Sequence, residues 1–300
     1  MRRELIVEAL ERHYKIDEKI SDAILQQIIA DRTTGKTAVD QPVMTMIGGQ
    51  PGAGKTTLQK QVEAERNGNV VVCSADEIRS YHPHARAILM EHENYYAEIT
   101  SGQARDWNAR LASHCHHNKL NYVIEVTYRD PNLINNRLKL CKETGFHSDL
   151  RILAVSPTLS LLGIHLRYEM SKLFTGSGRY VSRAFHDDCY NRLPSSLKAI
   201  TQQAQYDQLG LYARTAVLDV ATLEEGATLV ARNPLDALKV YQEEVNRDWP
   251  DRLKAFVLEK ATTVLHLMQK RQAHRSEIKA FCQNVGLESP NHLTKRKLGL

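Results

Sequence analysis

A glycine-rich segment near residue 50 limits what this chain can fold into more than any other part of the sequence. Residues 49–56 read Gly-Gln-Pro-Gly-Ala-Gly-Lys-Thr and match the pattern G-x-x-x-x-G-K-[ST] at every fixed position. An apolar run at 43–47 precedes them, and a helical pattern at 55–66 follows. A strand, a glycine-rich turn and a helix in this order form a loop whose N–H groups point at phosphate oxygens. The alternative is a simple turn with a helix-capping threonine, and the strand–turn–helix context argues against it.

The loop predicts chemical roles for its residues. We expect its backbone to surround the phosphates of ATP, with Lys55 reaching the β- and γ-phosphates. The Thr56 hydroxyl is expected to bind Mg²⁺. The predicted ATP-binding residues are Gly49, Gln50, Pro51, Gly52, Ala53, Gly54, Lys55, Thr56 and Thr57.

Short apolar runs alternate with helical patterns along the middle of the chain. Because the apolar runs are continuous, both faces of the resulting sheet should be covered, which predicts an α/β fold with a parallel sheet flanked by helices. Two helices are predicted within 3–32, and residues 232–285 look helical. The predicted strands are 43–47, 70–73, 121–126, 150–155 and 215–219, and the helices between them are 55–66, 85–99, 103–117, 131–145, 158–173 and 182–203.

The cysteines and the apolar segments of the sequence indicate the cellular compartment that suits the chain. Its five cysteines are scattered, which is typical of free thiols in a reducing compartment. No segment approaches the roughly 18 consecutive apolar residues of a membrane span, and Glu4 and Glu8 interrupt the N-terminal apolar stretch where a signal peptide would need it. We therefore expect a cytoplasmic protein without a membrane partner.

The net charge of +5 is mild for 300 residues and suits an anionic small-molecule substrate. The dense basic run at 295–297 is interpreted as a solvated tail. No nucleic acid partner is expected.

Two carboxylates follow predicted strands at the edge where the loop lies. Asp76 comes three residues after one strand, and Glu125 ends the next, with Thr127 just beyond it. Ligands of open α/β sheets bind beyond the carboxyl ends of the strands. One carboxylate there can bind Mg²⁺, and another can accept the proton of an attacking hydroxyl. A helix N-cap is an equal alternative for Asp76, whereas Glu125 is harder to explain structurally because burying a carboxylate is costly.

Two arginines stand out in the middle of the chain. Arg167 lies on a predicted helix, and Arg179 follows a glycine-rich segment that is typical of a mobile lid. Arginines neutralise the charge that develops on a transferred γ-phosphate. The alternative is that both are surface arginines paired with Glu169, Asp187 or Asp188, and the residues alone favour this alternative.

Five motifs follow one another within residues 48–194: GQPGAGKTTL, GNVVVCSADEIRSYHP, NYVIEVTYR, LGIHLRYEM and GRYVSRAFHDDCYNRLP. In content and order they resemble the zeta toxin family of bacterial toxin–antitoxin systems. The helical lead-in before the loop, about 45 residues long, is also similar to that family. The resemblance implies a P-loop kinase core at 41–220, with an N-terminal helical segment at 1–40 packed on it and a helical C-terminal extension at 221–300.

The resemblance also implies an activity. Zeta toxins transfer the γ-phosphate of ATP to a sugar hydroxyl of UDP-N-acetylglucosamine, which depletes a cell-wall precursor, and an antitoxin protein blocks their ATP pocket. We therefore expect ATP and Mg²⁺ as cofactors and an antitoxin as a partner. By the same resemblance, Lys55, Asp76, Arg167 and Arg179 are the catalytic residues, with Asp76 as base, and Glu125, Thr127 and Arg129 contact the substrate.

Some positions depart from the family pattern. Val126 stands where the family's third motif has glycine, and a valine narrows the approach of the substrate. The family has a further acidic substrate contact on the helix that corresponds to 103–117. Asp106 is a candidate for it here, while an alignment without gaps places Ala109 at that position. Two alternatives stay open: a kinase for another hydroxyl acceptor (a different sugar nucleotide, a dinucleotide or a polynucleotide end), and a non-catalytic nucleotide-binding regulator. As an alternative to an antitoxin on a separate chain, the helices within 3–32 of this chain shield the site.

Overall fold

The computed structural model describes residues 2–219 and 222–286. The basic run at 295–297, interpreted above as a solvated tail, lies outside them. The strands are β1 (Val43–Gly48), β2 (Val71–Cys73), β3 (Tyr122–Val126), β4 (His147–Ala154), β5 (Gln208–Asp219) and β6 (Thr222–Arg232). The helices are α1 (Arg2–His13), α2 (Glu18–Thr33), α3 (Lys55–Glu65), α4 (Ala75–Ile78), α5 (Ala85–Glu91), α6 (Tyr96–Ile99), α7 (Ser101–His117), α8 (Pro131–Thr144), α9 (Pro157–Thr175), α10 (Arg183–Gln203), α11 (Ala237–Asn246), α12 (Asp251–Lys270) and α13 (Arg275–Asn284).

Within the described residues, the strands form one six-stranded sheet in the order β2-β3-β1-β4-β5-β6. Strands β1 to β5 are parallel, and β6 runs antiparallel to β5. The chain leaves β1 toward one side of the sheet and crosses to the other side after β3. The carboxyl end of β1 therefore lies at the point where the strand order reverses, which is where open α/β sheets bind ligands.

Helices cover both faces of the sheet, as the continuous apolar runs predict. One buried cluster joins the sheet to α2, α7, α8, α10 and α11, with Trp107 and Leu138 fully buried in it. The opposite cluster joins it to α3, α9, α12 and α13, with Phe256 and Phe281 fully buried. A fold of three layers follows, with the sheet in the middle.

The N-terminal helices occupy two different positions. Helix α2 begins at its N-cap Asp17, whose side chain accepts from the backbone N–H of Lys19, and it buries Leu25 and Ile28 in the core. Helix α1 belongs to a smaller cluster in which Tyr14 packs with residues of α5 and α6. Only α2 is thus an integral part of the main core.

Most predicted elements are confirmed. Helix α8 begins at Pro131, and Gly145 ends it in the left-handed conformation. The predicted helix 85–99 is wrong as one element, because the backbone at His92 leaves the helical region and separates α5 from α6. Strand β5 begins at 208 instead of 215, and β6 adds an edge strand to the predicted sheet, so the helices of the C-terminal extension start at Ala237.

The five cysteines are all buried and unpaired, which confirms the prediction of free thiols. Among the described helices, none is both long and apolar enough to cross a membrane.

Candidate active site

The glycine-rich loop between β1 and α3 is shaped by its backbone. Gly54 precedes α3 with φ 98°, and Gly52 has φ 78°, both in the left-handed region that favours glycine. A Cβ on Gly52 would lie 2.0 Å from the carbonyl oxygen of Ser160 on α9. The loop therefore closes tightly against α9 only with glycine at this position, and it presents the N-terminus of α3 to a ligand.

A chain of buried hydrogen bonds fixes the loop from below. The Gln50 amide nitrogen donates to the carbonyl oxygen of Val155, at 2.8 Å, and to Ser160 Oγ, at 3.1 Å. Ser160 Oγ lies 2.8 Å from His186 Nε2, and His186 Nδ1 lies 2.8 Å from Asp187 Oδ1. Ser160 and His186 are fully buried, so this chain positions the loop and is closed to a substrate. His186 lies within the fifth motif but had no predicted role, and Ser160 lies outside all five motifs.

Arg214 on β5 fixes the loop from a second side. Its guanidinium donates to the carbonyl oxygens of Gly52, at 3.1 Å, and Leu159, at 2.9 Å. A Cβ on Gly163 would lie 2.5 Å from the Gly52 oxygen, so glycine on α9 permits this close approach. Arg214 is far from the loop in sequence, and no motif contains it.

Lys55 is held inside the loop. Its Nζ donates to the carbonyl oxygens of Gly49, at 3.1 Å, and Gln50, at 3.4 Å. Burial lowers the pKa of the Lys55 amine, while the carboxylates of Glu125 and Asp76 act in the opposite direction. A cation in this environment is ready to exchange carbonyl partners for phosphate oxygens.

Asp76 lies on the short helix α4 after β2 and pairs with Arg179. A second arginine, Arg79, places its Nε 3.3 Å from Asp76 Oδ1. Burial acts to raise the pKa of Asp76, but Arg179, Arg79 and Arg167 together outweigh it and lower the pKa to about 2. The carboxylate still faces open space, since 44% of its side chain is exposed. Asp76 is not the side-chain N-cap considered as an alternative, because it follows the N-cap Ser74.

Arg79 is a residue of the site that the sequence analysis missed. It is buried, and one guanidinium nitrogen donates to the carbonyl oxygen of Ala97, at 2.7 Å, and to Thr100 Oγ1, at 2.9 Å. Its position within the second motif, three residues after Asp76, was the available signal. Arg79 thus ties Asp76 to the helices α6 and α7.

Arg167 and Arg179 approach Asp76 from α9 and from the segment that follows it. Among the described residues, Arg167 has no hydrogen-bond or ion-pair partner. Burial, followed by the charge of Arg179, lowers the pKa of Arg167 to about 10. The surface pairings considered as an alternative do not form: Glu169 pairs with Arg271, at 2.8 Å.

The predicted substrate contacts lie at the end of β3 and just after it. Glu125 is level with Ile47 of β1, and burial raises its pKa while Lys55 opposes the rise. Thr127 contacts the Cys189 thiol. Arg129 pairs with Asp188, at 2.7 Å, and its guanidinium lies 5.2 Å from the centre of the Phe185 ring.

One cavity of about 980 Å³ connects these groups. Its loop end is lined by Lys55, Thr56, Arg167 and other residues of the loop and α9, and its helical end is lined by residues of α6, α7 and α8. Of the predicted residues, Gly49, Gln50 and Ala53 shape the loop without lining the cavity. Those that do line it are Pro51, Gly52, Gly54, Lys55, Thr56, Thr57, Asp76, Glu125, Thr127, Arg129, Arg167 and Arg179.

The acidic candidate on α7 is placed elsewhere. Asp106 faces Arg110, at 3.8 Å, and is not among the residues that line the cavity. Ala109 does line it, together with Arg105 and Asn108. The cavity is lined by one face of α7 that carries Arg105, Asn108, Ala109 and Ala112. Residue 106 is turned about 100° from residue 105 and lies beside this face, so the structure does not support Asp106 as the contact.

The site offers oxygen ligands for a divalent cation. The Thr56 hydroxyl is exposed at the start of α3, and the carboxylates of Asp76 and Glu125 line the same cavity. In the described part of the chain, no group of three or more His, Cys, Asp and Glu side chains could hold a metal ion. These residues fit Mg²⁺ that takes the rest of its ligands from water and phosphate oxygens.

Comparisons with known proteins agree with this geometry. Residues 26–225 match the family described as Zeta toxin. Toxin PezT of Streptococcus pneumoniae is 30% identical over 183 residues, which are 61% of this chain and 72% of PezT. Toxin zeta of Enterococcus hirae is 26% identical over 214 residues, which are 71% of this chain and 75% of that protein.

Two solved structures share the fold. One, from the PezAT chromosomal toxin–antitoxin system of Streptococcus pneumoniae, superposes with a TM-score of 0.74 at 24% identity and covers 85% of this chain and 98% of its own. The other, AvrRxo1-ORF1:-ORF2 with ATP, has a TM-score of 0.55 at 12% identity and covers 90% of this chain and 89% of its own. At these identities the likeness concerns the fold.

Proposed function

The chain belongs to the zeta toxin family, and on this premise we propose that it is a cytoplasmic kinase that transfers the γ-phosphate of ATP to a hydroxyl of UDP-N-acetylglucosamine. The observation that carries the proposal is one continuous cavity. It joins a phosphate-binding loop to a carboxylate, Asp76, and to an arginine, Arg167, that has no hydrogen-bond or ion-pair partner among the described residues. A phosphate-binding fold alone specifies no reaction, whereas these three groups are what phosphoryl transfer requires.

The loop end binds the nucleotide in this proposal. Backbone N–H groups of the loop and Lys55 hold the β- and γ-phosphates, and the Thr56 hydroxyl holds Mg²⁺. Bound Mg²⁺ supplies positive charge that the β- and γ-oxygens need during transfer. Arg167 is free to contact the γ-phosphate, and this pre-positioned charge stabilises the transition state more than the ground state.

Asp76 acts as the base. The acceptor hydroxyl attacks the γ-phosphorus, its proton passes to Asp76, and ADP leaves with the electrons of the broken P–O bond. A carboxylate with a pKa of about 2 is a weak base. When Arg179 turns from Asp76 to the γ-phosphate, the pKa of Asp76 rises, and the base becomes effective at the step that needs it.

The helical end binds the acceptor. Glu125 stands between the loop and the acceptor and can accept a hydrogen bond from a sugar hydroxyl, while Thr127 and Arg129 lie farther along the same wall. The pair of Arg129 with Asp188 keeps its guanidinium at the cavity wall. These contacts align the hydroxyl with the γ-phosphate, and alignment is a large part of the catalytic effect.

We also propose that an antitoxin protein restrains this activity. The similar proteins carry the names of toxins, and one similar structure comes from a toxin–antitoxin system. A protein that consumed a cell-wall precursor without restraint would harm its own cell. The open cavity offers such a partner a direct route to the ATP site.

The test is a phosphoryl-transfer assay with Mg²⁺, labelled ATP and a set of sugar nucleotides, with Lys55→Ala as the control. Label on UDP-N-acetylglucosamine that the control lacks supports the proposal. ATP binding without label on this acceptor refutes it and favours another hydroxyl acceptor, for which Val126 in the cavity wall is the specific observation. ATP binding without any phosphorylated product favours the regulator.

A further inference from the structure

We propose that Arg105 and Arg137 form an anion-binding subsite at the helical end of the cavity, which recognises a negatively charged group of the acceptor. This rests on the proposed function, because it assumes that the acceptor enters this end. The group is the diphosphate of a sugar nucleotide or a carboxylate on its sugar. No predicted substrate contact includes either arginine.

Arg137 on α8 carries the first argument. It is half-buried and lines the cavity, yet it has no hydrogen-bond or ion-pair partner among the described residues. The groups that feel its charge are the thiols of Cys73 and Cys141, the hydroxyl of Tyr122 and the imidazole of His116, and none of them is a carboxylate. A partly buried cation without a partner costs free energy, and an anionic ligand would recover it.

Arg105 on α7 carries the second argument. Its Nε donates to the carbonyl oxygen of Ser101, at 3.2 Å, within its own helix, and no other described residue forms a hydrogen bond or ion pair with the rest of the guanidinium group. Beside it, Asn108 lines the cavity with a side-chain oxygen that is buried and unpartnered within the described structure, and this acceptor suits a hydroxyl or N–H of the same ligand and not its anionic group. Ala109 and Ala112 line the same cavity with small side chains.

The acidic side chains at this end are already occupied. Glu98 pairs with Arg3, at 2.8 Å, and Asp130 accepts from the backbone N–H groups at the start of α8, at 3.0 and 3.2 Å. Within the described residues, neither carboxylate pairs with Arg105 or Arg137, so both guanidinium groups are left for an anionic ligand. Arginine also suits the task, because its planar fork matches phosphate and carboxylate oxygens in pairs.

The experiment compares Arg137→Gln and Arg105→Gln with a control, Arg110→Gln. Arg110 lies on α7 as well, but it pairs with Asp22, at 2.8 Å, outside the cavity. We expect each test variant to raise the KM for the acceptor about tenfold or more, as the loss of a charged hydrogen bond does. The KM for ATP and the behaviour of the control should not change. Arg137→Lys keeps the charge and should restore part of the affinity, which separates ligand binding from a folding defect.

A comparison of two acceptors shows which anionic group the subsite binds. A loss that is equal for UDP-N-acetylglucosamine and UDP-glucuronic acid assigns the subsite to the diphosphate, whereas a loss confined to UDP-glucuronic acid assigns it to the sugar carboxylate. Both outcomes support the subsite. An unchanged KM for both acceptors in both variants overturns it.

A binding measurement keeps this inference separate from the proposed function. UDP is titrated calorimetrically into protein saturated with a non-hydrolysable ATP analogue, so that the loop end is filled. If wild-type protein transfers phosphate to no sugar nucleotide but binds UDP in an Arg137-dependent manner, the proposed function fails and the subsite stands. If UDP does not bind, or binds independently of both arginines, and no acceptor shows the expected KM change, the subsite is refuted.

Discussion

The two ends of the cavity are held in place by different means. At the loop end, buried hydrogen bonds fix the backbone itself, from Gln50 to Val155 and from Arg214 to Gly52. At the helical end, side chains on separate helices face one another across an open space, and Arg137 lacks a described partner. Backbone anchoring leaves little that a substitution can adjust, whereas single side chains can be exchanged without disturbing the fold. We therefore expect the loop end to determine whether transfer occurs and the helical end to determine the acceptor.

The largest expected effect tests the loop end. Arg167→Ala removes a cation that no described neighbour replaces, and we expect kcat to fall about 10³-fold or more, as for arginines that act on a transferred phosphoryl group. Arg252→Ala, an exposed position on α12, is the control. Single-turnover kinetics with saturating ATP and acceptor measure the effect. An unchanged kcat would show that the γ-phosphate does not reach Arg167.

The next effect tests the group between the two ends. Asp76→Asn removes the base and leaves the loop intact, so we expect ATP affinity to persist while kcat falls about 10²- to 10⁴-fold. Glu77→Gln is a matched control, because this neighbouring carboxylate pairs with Arg32. Calorimetric ATP binding and the transfer assay give the two quantities. Equal turnover in both variants would make Asp76 a structural residue.

A smaller effect tests the approach of the acceptor to Glu125. Val126 lines the cavity where the family motif has glycine, and Val126→Gly widens the approach to Glu125. If UDP-N-acetylglucosamine is the acceptor, we expect its kcat/KM to rise about tenfold, the effect of one or two methylene groups in a pocket. The KM for ATP should stay constant. A change in the KM for ATP alone would remove the distinction between the two ends.

The smallest effect concerns stability in acid. The arginines keep the pKa of Asp76 at about 2 in the folded protein, below the roughly 3.9 of a free aspartate. The ion pairs therefore stabilise the folded protein above about pH 4, and this contribution disappears as the pH falls through about 2. Urea unfolding of wild-type and Asp76→Asn protein should differ most near neutral pH and converge in acid. The difference in the free energy of unfolding should be small because the Asp76 side chain is 44% exposed. A difference that does not change with pH would contradict the prediction.

The loop was predictable from the sequence because its determinants are local. The glycines, Lys55 and Thr56 occupy consecutive positions, and a strand before them and a helix after them complete the pattern. Asp76 and Glu125 were predictable as positions, since Asp76 follows one strand and Glu125 lies at the end of another, at the same edge of the sheet. The fold class followed from the continuous apolar runs.

Other features depend on contacts between distant segments. Gln50 meets Ser160 and His186 only after α9 and α10 have packed beside the loop, and Arg214 arrives from β5. The structure does not support Asp106, because the face of α7 that lines the cavity carries Arg105, Asn108 and Ala109, and which face of α7 meets the cavity is set by packing against other segments. Strand β6 was missed together with most of its partner. The predicted strand at 215–219 covers only the apolar last part of β5, which begins at residue 208.

The ion pair of Asp76 with Arg179 has a consequence for turnover. In the proposed mechanism, ATP does not capture a free arginine but displaces a carboxylate from it, and only a ligand with a γ-phosphate can make this exchange. ADP cannot hold Arg179, so the arginine returns to Asp76 once the phosphate has moved. Its return lowers the pKa of Asp76 again and expels the proton that the acceptor gave up. One pair of side chains thereby discriminates against product and resets the enzyme for the next cycle.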